Sequence, residues 1–266
     1  MVSGTNSREY HEGCMEHIRY ELVDGVGVAT MQRGKSNPLN HAMVTELLAV
    51  VDQAAADPGV RAFVLASDRP RFFSPGFDVT EVFSYNREQI SAFLNQFALL
   101  MDHLQWMPKP TVAALSGHTY AGGALVALCT DFRLMADSSD YGFALTEVNI
   151  GVRLPASVFL LLSNAAGVPL ARRAFLTGDP IRPAEGLNAG LFHALCPEAE
   201  VSAQSIALAT YLATKPPATY AAIKEKVLLT AGHRRLDAST NWIDPEAWFT
   251  SEAEQMKRQL AEKLRR

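Results

Sequence analysis

Cysteine is scarce in this 266-residue chain: only Cys14, Cys129 and Cys196 occur, widely spaced. That excludes a disulfide framework and a Cys-x-x-Cys metal site, and it fits a reducing compartment. Basic excess is lacking as well. Lys and Arg number 24 against 28 Asp and Glu, a formal net charge of −4. Nucleic-acid surfaces ordinarily carry the opposite balance, so no nucleic-acid partner is expected. No apolar run approaches the roughly 18–20 residues of a membrane span, so no membrane role is expected. The opening MVSGTNSREYHEGCMEH has no basic stretch followed by an apolar one, and the final Lys-Leu-Arg-Arg is not a peroxisomal ending. A cytoplasmic protein is expected. The full pattern Gly-x-x-x-x-Gly-Lys-Ser/Thr is absent, since Gly34-Lys35-Ser36 has Ala29 where its first glycine would stand, and GxGxxG and GxSxG do not occur, which removes the P-loop, the dinucleotide fingerprint and the nucleophile elbow. The histidines form no metal spacing with acids or cysteines, so no metal is expected.

What is present is an ordinary globular balance: 48% hydrophobic, 20% charged, mean hydropathy +0.02. The length suffices for a sizeable core. Residues 1–16 read as a disordered leader. Ile18–Val23 and Gly27–Gln32 are β-rich runs around the hairpin signal Asp24-Gly25. Ala42–Ala56 has helical spacing and stops at Asp57-Pro58-Gly59. Ala62–Ala66 reads as a strand buried on both faces, Asn86–Trp106 as a long helix, and Thr111–Leu115 as a strand. Ala121–Leu128 follows as a small-residue helix, then Phe132–Met135 and Tyr141–Leu145 as strands. From about Pro155 the pattern is helical: Ala156–Asn164, Leu170–Leu176, Pro183–Asn188, Val201–Thr214, Ala218–Leu229 and Pro245–Leu264. Strand–helix alternation over the first ~150 residues predicts an α/β core, and the last ~110 residues read as helical.

Two loops carry glycine where a backbone donor could be exposed. One is Phe73-Ser74-Pro75-Gly76-Phe77-Asp78, after a buried strand; the other is Gly117-His118-Thr119-Tyr120-Ala121-Gly122-Gly123, opening a helix. Alone, each reads first as a surface turn or as close helix packing. Together they could aim two N–H groups at one oxygen, an oxyanion hole without a nucleophile. Glu147 is a lone acid between Phe143 and Ile150. Burial there would raise its pKa toward the range useful for moving protons, while an exposed loop glutamate stays an open alternative. His118 and Arg153 read as cleft-lining or merely structural.

Asn37-Pro38-Leu39-Asn40, the two glycine loops and Phe143–Gly151 occur in an order and spacing that resemble the crotonase (enoyl-CoA hydratase/isomerase) superfamily, over roughly Ile18 to Leu264. The resemblance implies an α/β fold, a spiral of ββα units over 17–200 with a helical C-terminal trimerisation region over 201–266, and a homotrimer or dimer of trimers. It implies an acyl-CoA substrate, with coenzyme A as part of the thioester and no separate cofactor. The oxyanion N–H groups would come from Phe77 and Gly122. Hydratases of the family use two glutamates. Glu147 matches the second, but Leu125 stands at the position of the first. One glutamate with an oxyanion hole resembles a Δ3,Δ2-enoyl-CoA isomerase, as do the words Ala66–Pro70 and Ala121–Leu128. By the same resemblance, substrate contacts are expected from Lys35, Asn37, Leu39, Ser74, Gly76, Asp78, Tyr120, Leu125 and Phe249, and a phosphate contact from Lys35 and from Lys257 or Arg258. Pro75, Phe77 and Tyr120 depart from the commoner residues and bear on acyl-chain shape. Other crotonase reactions and a non-catalytic acyl-CoA-binding subunit are the alternative readings.

Overall fold

The computed structural model describes residues 7–9, 15–236 and 248–265. β2 (Ile18–Val23) and β3 (Val26–Met31) form the expected hairpin, pairing from Ile18↔Met31 to Val23↔Val26. Asp24 (φ 50) and Gly25 (φ 81) supply the two positive φ values that a tight two-residue turn needs. Within the expected leader, β1 (Ser7–Glu9) pairs antiparallel with β2. Those three residues are therefore not structureless, and the other residues of 1–14 lie outside the described residues.

A strand–strand–helix motif then repeats. β4 (Ala62–Ser67), β6 (Thr111–Leu115) and β8 (Phe132–Ala136) extend β3 in parallel. Each is followed at once by a short strand that leaves for a second sheet: β5 (Arg71–Ser74), β7 (Gly117–Tyr120) and β9 (Phe143–Ala144). The large sheet runs β1-β2-β3-β4-β6-β8-β10, closed by β10 (Ala194–Cys196), and the small one runs β5-β7-β9, all parallel. β3, β4 and β6 are buried along nearly their whole length, as a parallel sheet covered on both faces requires.

Helices occupy the crossovers. α1 (His41–Ala56) starts at Asn40, whose side chain accepts from Met43 N at 3.0 Å, and buries Val44, Leu47 and Val51. A four-residue α2 (Val79–Val82) leads to α3 (Arg87–Gln105), which opens with a reciprocal Asn86/Gln89 capping box. α4 (Gly122–Leu128) is wholly buried. α5 (Ala156–Ala166), α6 (Val168–Thr177) and α7 (Pro183–Asn188) follow. α8 (Val201–Ala213), read as the start of the C-terminal region, lies across β3, β4, β6 and β8 and packs into the same core. α9 (Pro217–Thr230) buries only Lys224 and leaves Ile223 and Val227 exposed. α10 (Ser251–Arg265) covers most of the expected final helix; 245–247 lie outside the described residues.

The sequence reading missed β5, β7 and β10, which are too short to carry a period. It also overextended Tyr141–Leu145. Arg182 donates to the carbonyls of Ser139, Asp140 and Tyr141 at 3.4, 3.1 and 3.1 Å, which holds that stretch as loop until Phe143. Cys129 and Cys196 are free and buried. Among the described residues no helix is long and apolar enough to cross a membrane, and no His, Cys, Asp and Glu cluster could hold a metal.

Candidate functional site

Because β5, β7 and β9 are parallel neighbours, their carboxyl ends open on one edge, where ligands of parallel sheets are commonly held. β5 runs into Gly76-Phe77, β7 into Ala121-Gly122, and β9 reaches Glu147 three residues on. The connections are stitched together. Leu39 N donates to Gly76 O and Asp78 N to Leu39 O, both at 2.8 Å, and Ala121 N donates to Ala144 O at 2.8 Å.

The two glycine loops touch. Gly76 has φ +96, and a Cβ there would lie 2.8 Å from Ala121 Cβ and 2.9 Å from Gly122 N. Only glycine fits. Ala121 adopts φ 45 and ψ −123, a conformation costly for a residue with a Cβ, immediately before the first turn of α4. N–H groups of that turn have no acceptor within the helix. The Phe77 ring covers Gly122 and meets Phe93 and Phe97 edge-on at centroid distances of 4.8 and 4.9 Å. Phe77 is thus anchored through its side chain and bridged to Leu39 through its neighbours' main chain. Neither Phe77 N–H nor Gly122 N–H finds an acceptor among the described residues. A pair of free donors from two touching loops is suited to an oxygen that gains negative charge.

Glu147 opens a single 3-10 turn, Glu147–Ile150, closed by Gly151 at φ 69. Its side chain is 6% exposed, and Oε2 is buried with no hydrogen-bond partner. Desolvation raises its pKa from the ordinary carboxylate range to about 7, opposed only by its own backbone N–H. A buried acid without a partner, poised near neutral pH, is what general base chemistry needs and what a packing role does not explain.

The other expected contact residues divide into groups. Asn37 (φ 59) is fully buried. Its Nδ2 donates to Ser67 Oγ at 2.7 Å and Phe73 O at 3.2 Å, and its Oδ1 accepts from Arg33 N at 2.8 Å. Ser74 Oγ donates to Asn37 O at 2.8 Å and accepts from Gly76 N at 3.2 Å. Asp78 pairs with Arg33 at 2.8 Å and caps α2 through Thr80 N. These side chains are occupied in building the loops. Leu39 and Leu125 are 1% exposed, Leu39 packing toward Gly122 and Leu125 inside the core. Tyr120 Oη lies 2.7 Å from His118 Nδ1, and burial with Arg71 and Arg182 nearby lowers the His118 pKa. His118 lies within β7, and Tyr120 is its last residue, at the carboxyl end. Lys35 and Arg153 are exposed. Phe249 is half-buried, with the Arg87 guanidinium 5.1 Å from its ring centre. Lys257 corrects the expectation of a phosphate contact: it is 4% exposed, with its ammonium 2.5 Å from Glu254 and enclosed by aromatic rings. Arg33 was missed, since its role depends on the positive φ of Asn37, which the sequence does not announce.

Comparison with known proteins places the chain in a family. The family model described as "Enoyl-CoA hydratase/isomerase" matches residues 21–264. The human mitochondrial protein "Enoyl-CoA delta isomerase 1" is 33% identical over 202 residues, covering 74% of this chain and 67% of its own. A putative enoyl-CoA hydratase of Thermus thermophilus is 35% identical over 204 residues, covering 74% and 78%. The crystal structure of human mitochondrial delta3-delta2-enoyl-CoA isomerase superposes with a TM-score of 0.81 at 25% identity, covering 94% of this chain and 98% of that one. With its repeated strand–strand–helix units and the match over nearly its whole length, the chain belongs to the enoyl-CoA hydratase/isomerase family.

Proposed function

We propose that the protein is an enoyl-CoA isomerase that moves a double bond from position 3 to position 2 of an acyl-CoA thioester. The observation that carries this reading is the buried, unpartnered Glu147 carboxyl at the edge where Gly76-Phe77 and Ala121-Gly122 meet. The thioester oxygen accepts from the N–H groups of Phe77 and Gly122. Glu147 removes a proton from C2, the dienolate charge falls on the oxygen between the two donors, and the same carboxyl returns the proton to C4. No atom is gained or lost, and no second acid is needed.

Hydration is the rival within the family. It calls for a further acid to activate or protonate water, and Leu125, buried and apolar, occupies the position implied for it. Lys35 and Phe249 are proposed on the coenzyme A side, since their side chains are not consumed inside the loops. A homotrimer or dimer of trimers is proposed from the helical C-terminal region, and a reducing, cytoplasmic location from the scarcity of cysteine. The test adds purified protein to a 3-enoyl-CoA and follows the absorbance of the conjugated 2-enoyl thioester, with Glu147→Gln alongside and hydration of 2-enoyl-CoA as a separate trace. Conjugation lost in the variant supports the reading; near-normal conjugation by Glu147→Gln sinks it.

A further inference from the structure

The C-terminal helix bears on the turn that carries the acid. α10 packs against the Glu147–Ile150 turn. The contact is close: a Cβ added to Gly151 would lie 3.3 Å from Ala253 Cα, and Ala253 is fully buried. One helical turn beyond Ala253, on the same face, sits Lys257. α10 is otherwise a charged helix, yet this lysine is 4% exposed. Its Nζ lies 5.9, 5.4 and 5.3 Å from the ring centres of Phe83, Trp248 and Phe249, and 2.5 Å from Glu254. Burying an ammonium is costly unless a carboxylate and aromatic faces replace the lost water, and here both do.

The rings come from two places. Trp248 and Phe249 lead into α10, while Phe83 ends α2, directly downstream of the Gly76–Asp78 loop. Trp248 and Phe83 also meet each other at 6.0 Å. A single cation therefore joins the helix on the acid to the segment following the oxyanion loop. Two buried polar atoms without partners belong to the two sides of this junction: Glu147 Oε2 in the turn and Trp248 Nε1 ahead of the helix.

We propose that Lys257 is a positioning residue: seated among Phe83, Trp248 and Phe249, it latches α10 onto the Glu147 turn and keeps water from the carboxyl. The inference rests on Glu147 being the base. The elements packed on the turn bring Glu252, Glu254, Lys257 and Arg258 from α10 and Arg172 and Arg173 from α6. None of these charges enters the shift at Glu147, which comes from burial opposed by its own N–H. Its titration therefore reads the seating of α10 rather than the charge of Lys257.

The experiment titrates the Glu147 carboxyl by carbon-13 NMR, assigned by the signal lost in Glu147→Gln, in the wild type, Lys257→Met, Lys257→Arg and the exposed control Glu262→Gln. Lys257→Met is expected to lower the midpoint by about 1–2 pH units, toward an ordinary glutamate, as water reaches the carboxyl. The acid limb of kcat/KM should move with it. Lys257→Arg, which keeps the cation, should restore most of the wild-type midpoint, and Glu262→Gln should not change it. A Met variant that loses stability or rate while its midpoint stays in place overturns the latch. If Lys257→Met does not fold, Phe249→Leu removes one ring and is read the same way: a lowered midpoint supports the latch and an unmoved one overturns it. Full conjugation by Glu147→Gln would overturn the base assignment instead, while the carboxyl titration still decides whether the latch excludes water.

Discussion

At the scale of single residues, Glu147 is expected to dominate both rate and pH behaviour. A base must be ionised, and burial holds its pKa at about 7. The kcat/KM for conjugation should therefore rise with pH through an acid limb near 7, where an ordinary glutamate would place it near 4. Glu147→Gln should cost at least ~10²-fold in conjugation rate. The same shift makes a stability prediction. A folded pKa above the unfolded one stabilises the protein below the unfolded pKa, and that contribution is lost as pH rises through the folded one. Glu147→Gln should accordingly be more stable than the wild type above pH 7, by at most about 3 kcal/mol, and no more stable near pH 4. Thermal melts at the two pH values check this. At the other half of the site, Gly76→Ala places a Cβ within 2.8 Å of Ala121 at a φ that disfavours it. It should displace the two glycine loops of the proposed oxyanion hole and lower kcat by about 10²–10³-fold, the usual effect of losing one donor.

At the scale of elements, three short parallel strands matter more than the long ones. β5, β7 and β9 are only four, four and two residues long, yet they set the two loops and the acid side by side. The elements around them are held by buried polar contacts as well as by apolar packing. α9 is the clearest example. Lys224 Nζ lies 3.0 Å from Asp131, which also accepts from Tyr220 Oη at 3.1 Å and Thr111 N at 3.0 Å. Burial lowers the Lys224 pKa even beside that carboxylate. Asp131→Ala would leave the ammonium buried and unpaired, and should destabilise the protein by about 3–5 kcal/mol. Denaturant unfolding measures that loss. Lys224→Met together with Asp131→Asn should recover part of it, because no uncompensated charge then remains. A cavity of about 390 Å³ opens beside α9, away from the small sheet's carboxyl ends, so these changes should spare KM.

At the scale of the whole molecule, the unfinished surface is the outward face of α8 and α9. Tyr211, Ile223 and Val227 are 60%, 57% and 60% exposed. Ile223 and Val227 stand one helical turn apart on α9 and share a face of that helix. If the C-terminal region assembles the proposed trimer, Ile223→Glu with Val227→Glu should dissociate it, measured by sedimentation. The variant monomer should keep its helical content, since neither side chain belongs to the core. Sedimentation unchanged by the double variant would put the subunit contact elsewhere.

Much of this protein is legible in its residues alone. The hairpin at Asp24-Gly25, the buried run Ala62–Ala66 and the helix stop at Asp57-Pro58-Gly59 act within a few residues. Local chemistry determines them, and they lie where the sequence indicates. The four motif words, in order, also name the family, because each preserves a backbone shape that its residues dictate. Tertiary structure alone decided the rest. β5, β7 and β10 exist only as neighbours of other strands, and α8 was assigned to the core by the sheet it covers. Asn37, Ser74 and Asp78 became loop builders because their partners lie across a turn that no spacing reveals. Glu147 and Lys257 show the difference most directly. The apolar stretch Phe143–Ile150 left the burial of Glu147 open, and the charged sequence around Lys257 gives no sign of its burial. Burial in the folded chain raised the pKa of one and surrounded the other with rings, and burial is set by contacts distant in sequence.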